Sequence, residues 1–479
     1  MADQIAAFYR EAILAGQLRA GDRLPPIRAL AEATGVTRAT VQESYRRLGE
    51  GGLVTRTVGR GTEVCASGLE SGPLSSFAMG ALRQTIGLPG APSVPGNEEL
   101  IANLADLSPD GASFPVDDLR SAMDRVLAER GEQLLNYAHT AEGLPELREL
   151  LCAGGHGFDA GSGGVDEDVL ITSGAQQAID LVVRTICQPG DAVIVPVPCY
   201  QQVFGLLKAH GLRIVPLPFR EGRLDPSDLR RAIGLPGVRL LYLVPTFHNP
   251  TGETLDLDQR RQVIEIAGAT EIPILEDEYQ QPLRFRGEPV PSLRRLDPRG
   301  LTVTASTFSK GLFPGLRVGF VVAGPRFLQP MAAVKRFMDL ETSPLLQAAL
   351  AEFVRAGGFQ RYLAKLRSSL GRRHARMQAA LREHLPEECR ITDPDGGFLL
   401  WIELPVAGQG DRLSELAAAR GVSTLPGRLF EPEGRPSRGL RLSLARAGDS
   451  AIDRAASVLG RCARDLLREP AAAQSRTFL

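Results

Sequence analysis

Between residues 169 and 322 seven short, near-continuously apolar runs alternate with helical stretches: 169–172 (VLIT), 192–197 (AVIVPV), 213–217 (RIVPL), 240–245 (LLYLVP), 272–277 (IPILED), 301–306 (LTVTAS) and 318–322 (VGFVV). Runs with no polar face predict strands covered on both sides. Their alternation with helices predicts an α/β fold around a mainly parallel seven-stranded sheet with helices on both faces. Such a sheet binds ligands in the crevice outside the carboxyl ends of its strands. After about residue 345 helices dominate, with strands over Gly397–Glu403 and Leu440–Ser443, which predicts a small C-terminal α+β domain. The expected large domain is 105–345 and the small one 346–469, with a flexible tail over 470–479.

The first 66 residues read differently. Residues 4–15 are amphipathic, with Ile5, Phe8, Tyr9 and Ile13 apolar. Pro25-Pro26 opens a second helix, Ile27 to Thr34, stopped by Gly35. Thr37 is a good N-cap for a third helix to about Glu50, with Val41, Tyr45 and Leu48 on its inner stripe. Leu53–Thr57 and Thr62–Cys65, around Gly59-Arg60-Gly61, read as a hairpin. Helix, turn, helix and hairpin make a winged helix-turn-helix, whose third helix presents Arg38, Thr40 and Gln42, residue types that reach base edges or phosphates. The whole chain has a formal net charge of −1, so DNA binding must be confined to this module, which holds nine Arg against seven Asp and Glu. Residues 67–104 read as a linker, because fifteen of the 31 residues in 67–97 are Gly, Pro or Ser.

The chain has only four lysines, Lys208, Lys310, Lys335 and Lys365, among 55 Lys and Arg together, so chemistry needing a primary amine has four candidates. Lys208 and Lys365 read as ordinary solvated helix lysines. Lys310 closes Thr307-Phe308-Ser309-Lys310, directly after an apolar run and seven residues before Arg317. Other polar motifs also follow strands: Ser173-Gly174-Ala175-Gln176-Gln177, Tyr200, His248-Asn249-Pro250-Thr251-Gly252, and Asp277 with Tyr279, which share a side if strand geometry persists. This inventory fits pyridoxal phosphate, which needs a lysine for a Schiff base and a carboxylate against its pyridinium nitrogen. Asp277 would hold that nitrogen, Asn249 and Tyr279 would donate to the ring oxygen, and Tyr200 would stack on the ring. Gly174, Ala175 and Gln176 at a helix start, with Thr307, Ser309 and Arg317, would hold the phosphate.

Other classes are excluded. Six cysteines (65, 152, 187, 199, 389, 462) contain no C-x-x-C pair, and six scattered histidines give no ligand spacing, so neither a disulfide framework nor a metal site is expected. No apolar run approaches a membrane span of about 20 residues, and the start has no signal-peptide pattern. A cytoplasmic protein without membrane contact is expected.

Two resemblances sharpen this reading. Leu24-Pro25-Pro26-Ile27-Arg28-Ala29-Leu30-Ala31, Gly35-Val36-Thr37-Arg38-Ala39-Thr40-Val41, Tyr45-Arg46-Arg47-Leu48, Gly51-Gly52-Leu53-Val54 and Gly59-Arg60-Gly61-Thr62 resemble the winged helix of GntR-family regulators. The resemblance implies DNA contacts at Arg28, Thr37, Arg38, Thr40, Gln42, Arg60 and Gly61. Over residues 105–465 the chain resembles fold-type I aminotransferases. The matching stretches are Asn136-Tyr137, Gly143-Leu144-Pro145-Glu146-Leu147-Arg148, Asn249-Pro250-Thr251-Gly252, Glu276-Asp277-Glu278-Tyr279, Ser309-Lys310-Gly311-Leu312-Phe313-Pro314-Gly315-Leu316-Arg317-Val318-Gly319, Gly396-Gly397-Phe398 and Gly439-Leu440-Arg441-Leu442-Ser443. It implies that Lys310 is the Schiff-base lysine, that Arg441 clamps a substrate or effector carboxylate, and that Tyr137 reaches the phosphate of the partner subunit's cofactor. Winged helix, linker and aminotransferase-like domain together resemble the MocR subgroup of GntR regulators. That implies a homodimer with swapped winged helices and a regulator of operator DNA that senses an amine, an amino acid or pyridoxal phosphate. The alternative is a working aminotransferase with an accessory winged helix, since Asn249, Asp277, Tyr279, Lys310 and Arg441 are all present.

Overall fold

The computed structural model describes residues 2–14, 18, 21–50, 53–57, 61–64, 100–154, 157–159 and 167–468. The chain divides into two compact units, Met1–Gly87 and Leu88–Leu479.

In the first unit α1 (Ala2–Leu14), α2 (Ile27–Thr34) and α3 (Arg38–Glu50) precede an antiparallel hairpin, β1 (Val54–Thr57) and β2 (Gly61–Val64), with Val54 opposite Val64. Gly35 ends α2 in the left-handed region at φ 68°. The Thr37 hydroxyl accepts from the Thr40 amide at 3.2 Å, which starts α3. Tyr9, Ile13, Ala31, Val41, Tyr45, Leu48, Leu53 and Val64 form the core. The Tyr45 hydroxyl donates to the Pro25 carbonyl at 2.9 Å and pins the start of α2 to α3. One expected core residue is displaced: Phe8 is 66% exposed. Adjacent helical residues lie about 100° apart, and here Tyr9, with Ala6, Ala12 and Ile13, takes the inner stripe.

In the second unit, β3 (Ala102–Asn103) is followed by β4 (Asp168–Thr172), β5 (Ala192–Val197), β6 (Arg213–Arg220), β7 (Arg223–Leu224), β8 (Val238–Leu243), β9 (Ile274–Asp277), β10 (Thr302–Thr307) and β11 (Gly319–Ala323). The large sheet has the order β4-β11-β10-β9-β8-β5-β6-β7. The pairs from β10 to β6 are parallel, whereas β11 is antiparallel to both neighbours. The seven expected strands are thus joined by an eighth, β7, which turns back antiparallel on the edge of β6. Beyond it come β12 (Arg390–Ile391), β13 (Leu399–Glu403), β14 (Val422–Ser423), β15 (Leu425–Pro426) and β16 (Gly439–Ser443), with a second sheet ordered β12-β13-β16-β15.

One boundary differs from the sequence reading. Residues 102–104, expected at the end of the linker, are structured: β3 pairs parallel with β14, and Ala102 and Leu104 lie in the core built by β13, β16 and the helix Asp449–Arg468. Farther along come the helices Pro344–Arg355 and Gly358–His384. Leu350, Phe353, Phe359 and Leu370 share a core with Phe308 and Phe320. An amphipathic pattern shows that a helix buries a face but not against which sheet. The rest of the linker, residues 67–99, and the tail lie outside the described residues.

Candidate functional site

The register of three strands builds one corner of the site. Gly319, at the start of β11, stands opposite both Thr172 at the end of β4 and Thr307 at the end of β10. Because β11 runs against its neighbours, Arg317 before it meets Gly174 and Ser309 after them. A Cβ on Gly319 would lie 2.6 Å from the Gly174 carbonyl carbon, so only glycine permits this approach. Gly174 has φ 95°, and a Cβ there would come within 2.8 Å of Arg317 Nη2. Arg317, itself left-handed at φ 51°, donates to the Ser173 carbonyl at 2.9 Å. Ala175 and Gln176 open the helix Ala175–Ile186, so first-turn N–H groups stand at this corner. The Thr307 and Ser309 hydroxyls are 3.0 Å apart.

These groups enclose a cavity of about 190 Å³ at the carboxyl end of the sheet. Ala175, Gln176, Tyr200, Asn249, Asp277, Tyr279, Thr307, Ser309, Lys310 and Arg317 all line it, so the sequence-selected residues converge. Asp277 and Tyr279 face the same side, as strand alternation requires. Asp277 Oδ2 accepts from the Tyr242 hydroxyl at 2.7 Å, while the buried Oδ1 has no hydrogen-bond partner. Burial pushes this carboxyl up to about 6. Lys310 Nζ donates to the Leu107 carbonyl at 3.3 Å. Burial, and after it the charge of Arg441, pushes its amine down to about 8. The Tyr200 hydroxyl lies 3.5 Å from Gln176 Oε1, and burial raises it to about 12.

Arg441 stands one hydrogen bond behind this wall. It is buried, donating to Asn249 Oδ1 at 3.2 Å and to the Ala105 carbonyl at 2.8 Å, and its Nε has no partner. Tyr137 is placed elsewhere, 63% exposed and near the ring of His139. Of the other lysines, Lys365 is exposed as expected. Lys208 is not an ordinary solvated lysine: it is half-buried and donates to the Pro432 carbonyl at 2.7 Å.

Sequence reasoning missed the groups that hold the site from behind. Tyr242 is the one polar-tipped residue of an otherwise aliphatic run, and that was its only signal. Glu276 and Glu278 flank Asp277 on the opposite face of β9 and approach the buried Arg260 to 4.0 and 3.7 Å. Arg260 donates to the Pro245 carbonyl and the Thr246 hydroxyl, and Thr246 donates to Glu278, which fixes the loop leading to Asn249.

The cavity suits pyridoxal phosphate on its own chemistry. An orphaned buried carboxylate oxygen awaits a protonated ring nitrogen, an amine of lowered pKa awaits an aldehyde, and a glycine-walled corner of N–H, hydroxyl and guanidinium donors awaits a phosphate. Among the described residues no cluster of side chains could hold a metal ion, and no helix is long and apolar enough to cross a membrane.

In the first unit Arg28, Arg38 and Gln42 are exposed. Arg28 pairs with Glu32 at 3.0 Å, and the Thr37 and Thr40 hydroxyls are 2.8 Å apart. Gly61 opens β2 opposite Thr57. Arg60 lies outside the described residues.

Comparison with known proteins agrees with both halves. The family of aminotransferases of class I and II matches residues 103–459, and the gntR family of bacterial regulatory proteins matches residues 1–64. A probable rhizopine catabolism regulatory protein, MocR, of Rhizobium meliloti is 31% identical over 88% of this chain and 85% of its own length. A 2-aminoadipate transaminase of Thermus thermophilus is 33% identical over 74% of this chain and 88% of its own. Among solved structures, a multiple substrate aminotransferase from Thermococcus profundus superposes with TM-score 0.73 at 26% identity, covering 82% of this chain and 96% of that one. An α-aminoadipate aminotransferase from Thermus thermophilus, complexed with N-(5'-phosphopyridoxyl)-L-leucine, gives 0.70 at 31%, covering 77% and 93%. Proteins of this family depend on pyridoxal phosphate. From residue 103 onward the chain belongs to the aminotransferase class I and II family, and it carries that domain behind a gntR-family module, the arrangement of MocR-type regulators.

Proposed function

We propose that this protein is a pyridoxal-phosphate-dependent transcriptional regulator, whose aminotransferase-like domain senses an amine, an amino acid or the cofactor itself and whose winged helix binds operator DNA. The observation that carries this reading is the convergence of ten sequence-selected residues on one cavity in a chain that also bears a gntR-type module. When bound, pyridoxal phosphate supplies an aldehyde that condenses with amines and a ring that withdraws electrons. Lys310 holds it covalently, and Asp277 Oδ1 keeps its ring nitrogen protonated. Asn249 and Tyr279 donate to the ring oxygen, Tyr200 stacks on the ring, and Gly174, Ala175, Gln176, Thr307, Ser309 and Arg317 bind the phosphate. Arg441 offers a fork to an effector carboxylate.

The protein acts in the cytoplasm as a homodimer, its winged helices exchanged between subunits and Tyr137 completing the partner's phosphate site. The exposure of Tyr137, with Phe337 92% exposed, Leu135 and Leu340, supports a subunit face there. Residues 1–66 read DNA, a linker from 67 to about 100 joins them to the cofactor-binding domain, and a small C-terminal domain follows. A second reading, a working aminotransferase, is favoured by the lowered pKa of Lys310, which brings its free-base form within reach of neutral pH for general-base work.

The test is a titration of fluorescent operator fragments at fixed salt, with and without a panel of amines and amino acids. Salt is fixed because phosphate contacts make affinity steeply ionic-strength dependent. A sensor shifts operator affinity by about 5–150-fold over the range in which the cofactor spectrum changes, and Arg441→Ala weakens the response to carboxylate-bearing effectors. Spectral change with unaltered DNA affinity, together with multi-turnover transamination of a 2-oxo acid, identifies an enzyme instead. Arg38→Ala should cost operator affinity about 1–3 kcal/mol and leave the cofactor spectrum intact. If Arg28, Arg38 and Thr40 all become alanine without loss, the module does not read DNA through α2 and α3.

A further inference from the structure

The parallel pairing of β8 with β9 runs as far as Leu243 and Glu276. Past that rung the two chains lead to the side chains proposed to donate to the ring oxygen, Asn249 after β8 and Tyr279 after β9. A side-chain hydrogen bond continues the pairing: the buried Thr246 hydroxyl donates to Glu278 Oε1 at 2.7 Å. Its direction is fixed by Arg260, on the helix Leu257–Ala269, whose Nη2 donates to the same hydroxyl at 2.8 Å and to the Pro245 carbonyl at 3.0 Å. A guanidinium only donates, so the Thr246 proton is left for Glu278. Arg260 is anchored in turn, by Nε to the Leu255 carbonyl at 3.0 Å and by Nη1 to the Pro291 carbonyl at 3.1 Å.

Both ends of this bond sit on backbone that is itself held. The Glu278 amide donates to the Ala305 carbonyl at 2.9 Å, and the Glu278 carbonyl accepts from the Ser306 hydroxyl at 3.0 Å. Phe247, next to Thr246, is left-handed at φ 53°, a conformation that persists in a residue with a Cβ only where its surroundings enforce it. Two buried acids face the one guanidinium of Arg260, and their partners differ. Glu276 accepts from the Leu293 and Arg294 amides and the Thr304 hydroxyl, three donors that suit a carboxylate. Glu278 has the Thr246 hydroxyl on Oε1 and no partner on Oε2. Glu276 therefore takes the charge and Glu278 the proton. Burial, and after it the charge of Glu276, push the Glu278 carboxyl well above the usual carboxylate range, and Asp159 and Arg284 also act on it.

We propose that Thr246 and Glu278, clamped by Arg260, are positioning residues that hold Asn249 and Tyr279 at the spacing needed to donate together to the ring oxygen, and that they thereby set the proton affinity of the bound cofactor. The inference rests on the cofactor reading above. None of the three residues lines the cavity, so they act through the two donors they hold. Two aligned donors favour an anionic ring oxygen, and a donor that drifts away lets the cofactor keep its proton to higher pH.

The test is a pH titration of the full chain loaded with pyridoxal phosphate, read as the midpoint of its visible-absorbance change, beside urea unfolding of the same proteins. The variants leave Asp277, Lys310, Arg317 and Arg441, the charged groups at the pocket, in place. Thr246→Val keeps the side-chain shape, deletes the hydroxyl and should raise the midpoint by about one pH unit, the scale of a weakened hydrogen bond to a charged atom. Thr246→Ser should restore it. Glu278→Met should shift the midpoint as far as Thr246→Val, and the double variant no farther, because both break one bond. Glu278→Gln should keep the parent midpoint, since an amide oxygen accepts from Thr246 as the neutral acid does. If Thr246→Val does not fold, Glu278→Met with Glu278→Gln as its control decides. A midpoint that stays put while urea stability falls, additive shifts in the double variant, or a shift in Glu278→Gln as large as in Glu278→Met each overturns the proposal. A parent protein that takes up no colour refutes the cofactor reading itself, whereas a coloured parent with unmoved variants refutes the positioning role alone.

Discussion

Lys310→Ala will purify without the covalently held, borohydride-trappable cofactor, and in the parent protein peptide mapping after reduction will place the label on Lys310 alone. The expectation is absolute because the alternatives are few. Lys208 is committed to the Pro432 carbonyl, Lys335 is buried against Asp339, and Lys365 is exposed on a helix. Lys310 alone of the four lines the cavity, and burial with neighbouring positive charge favours the free amine, the form that attacks an aldehyde. Non-covalent binding at the phosphate corner survives in the variant, seen as loss of the yellow colour on dialysis rather than at once. A reduced label on any other lysine refutes the site.

Asp277 governs the second large effect. Its carboxyl stands at about 6 in the folded protein and at about 3.8 when exposed. The folded value is the higher one, so between these limits the folded chain binds the proton that the unfolded chain has lost. Stability of the cofactor-free protein therefore falls as pH rises from about 4 through about 6, by on the order of 3 kcal/mol from this group. A cation against Oδ1 removes that penalty. The stabilisation by pyridoxal phosphate, measured by urea unfolding of loaded and cofactor-free protein, should grow from pH 5 to pH 7.5. Asp277→Asn should flatten the trend, which separates this group from others titrating nearby. A cofactor effect independent of pH in the parent protein would count against the pairing of Asp277 with the ring nitrogen.

The strands were legible because a strand covered on both faces carries its own apolar signature, and the positions after them were legible because chemistry collects at strand ends. Asp277, Asn249 and Lys310 stand out on those grounds. The Arg260–Glu276–Glu278 network does not, since its partners lie on two separate segments and only folding assembles them. Phe8 misleads because a hydrophobic residue beside a stripe looks like part of it. The contacts of Lys310 and Arg441 to Leu107 and Ala105 were invisible, because backbone carbonyls have no letter in a sequence.

Those two carbonyls set up a competition. With the cofactor held, Lys310 would have fewer protons to lend to Leu107, and with a carboxylate on its fork Arg441 would have fewer N–H groups for Ala105. Ligand and backbone thus bid for the same donors at both ends of a three-residue span. Just before that span, β3 pairs in parallel with β14. The carbonyls that receive these hydrogen bonds are therefore held by a strand pairing that lies outside the pocket itself.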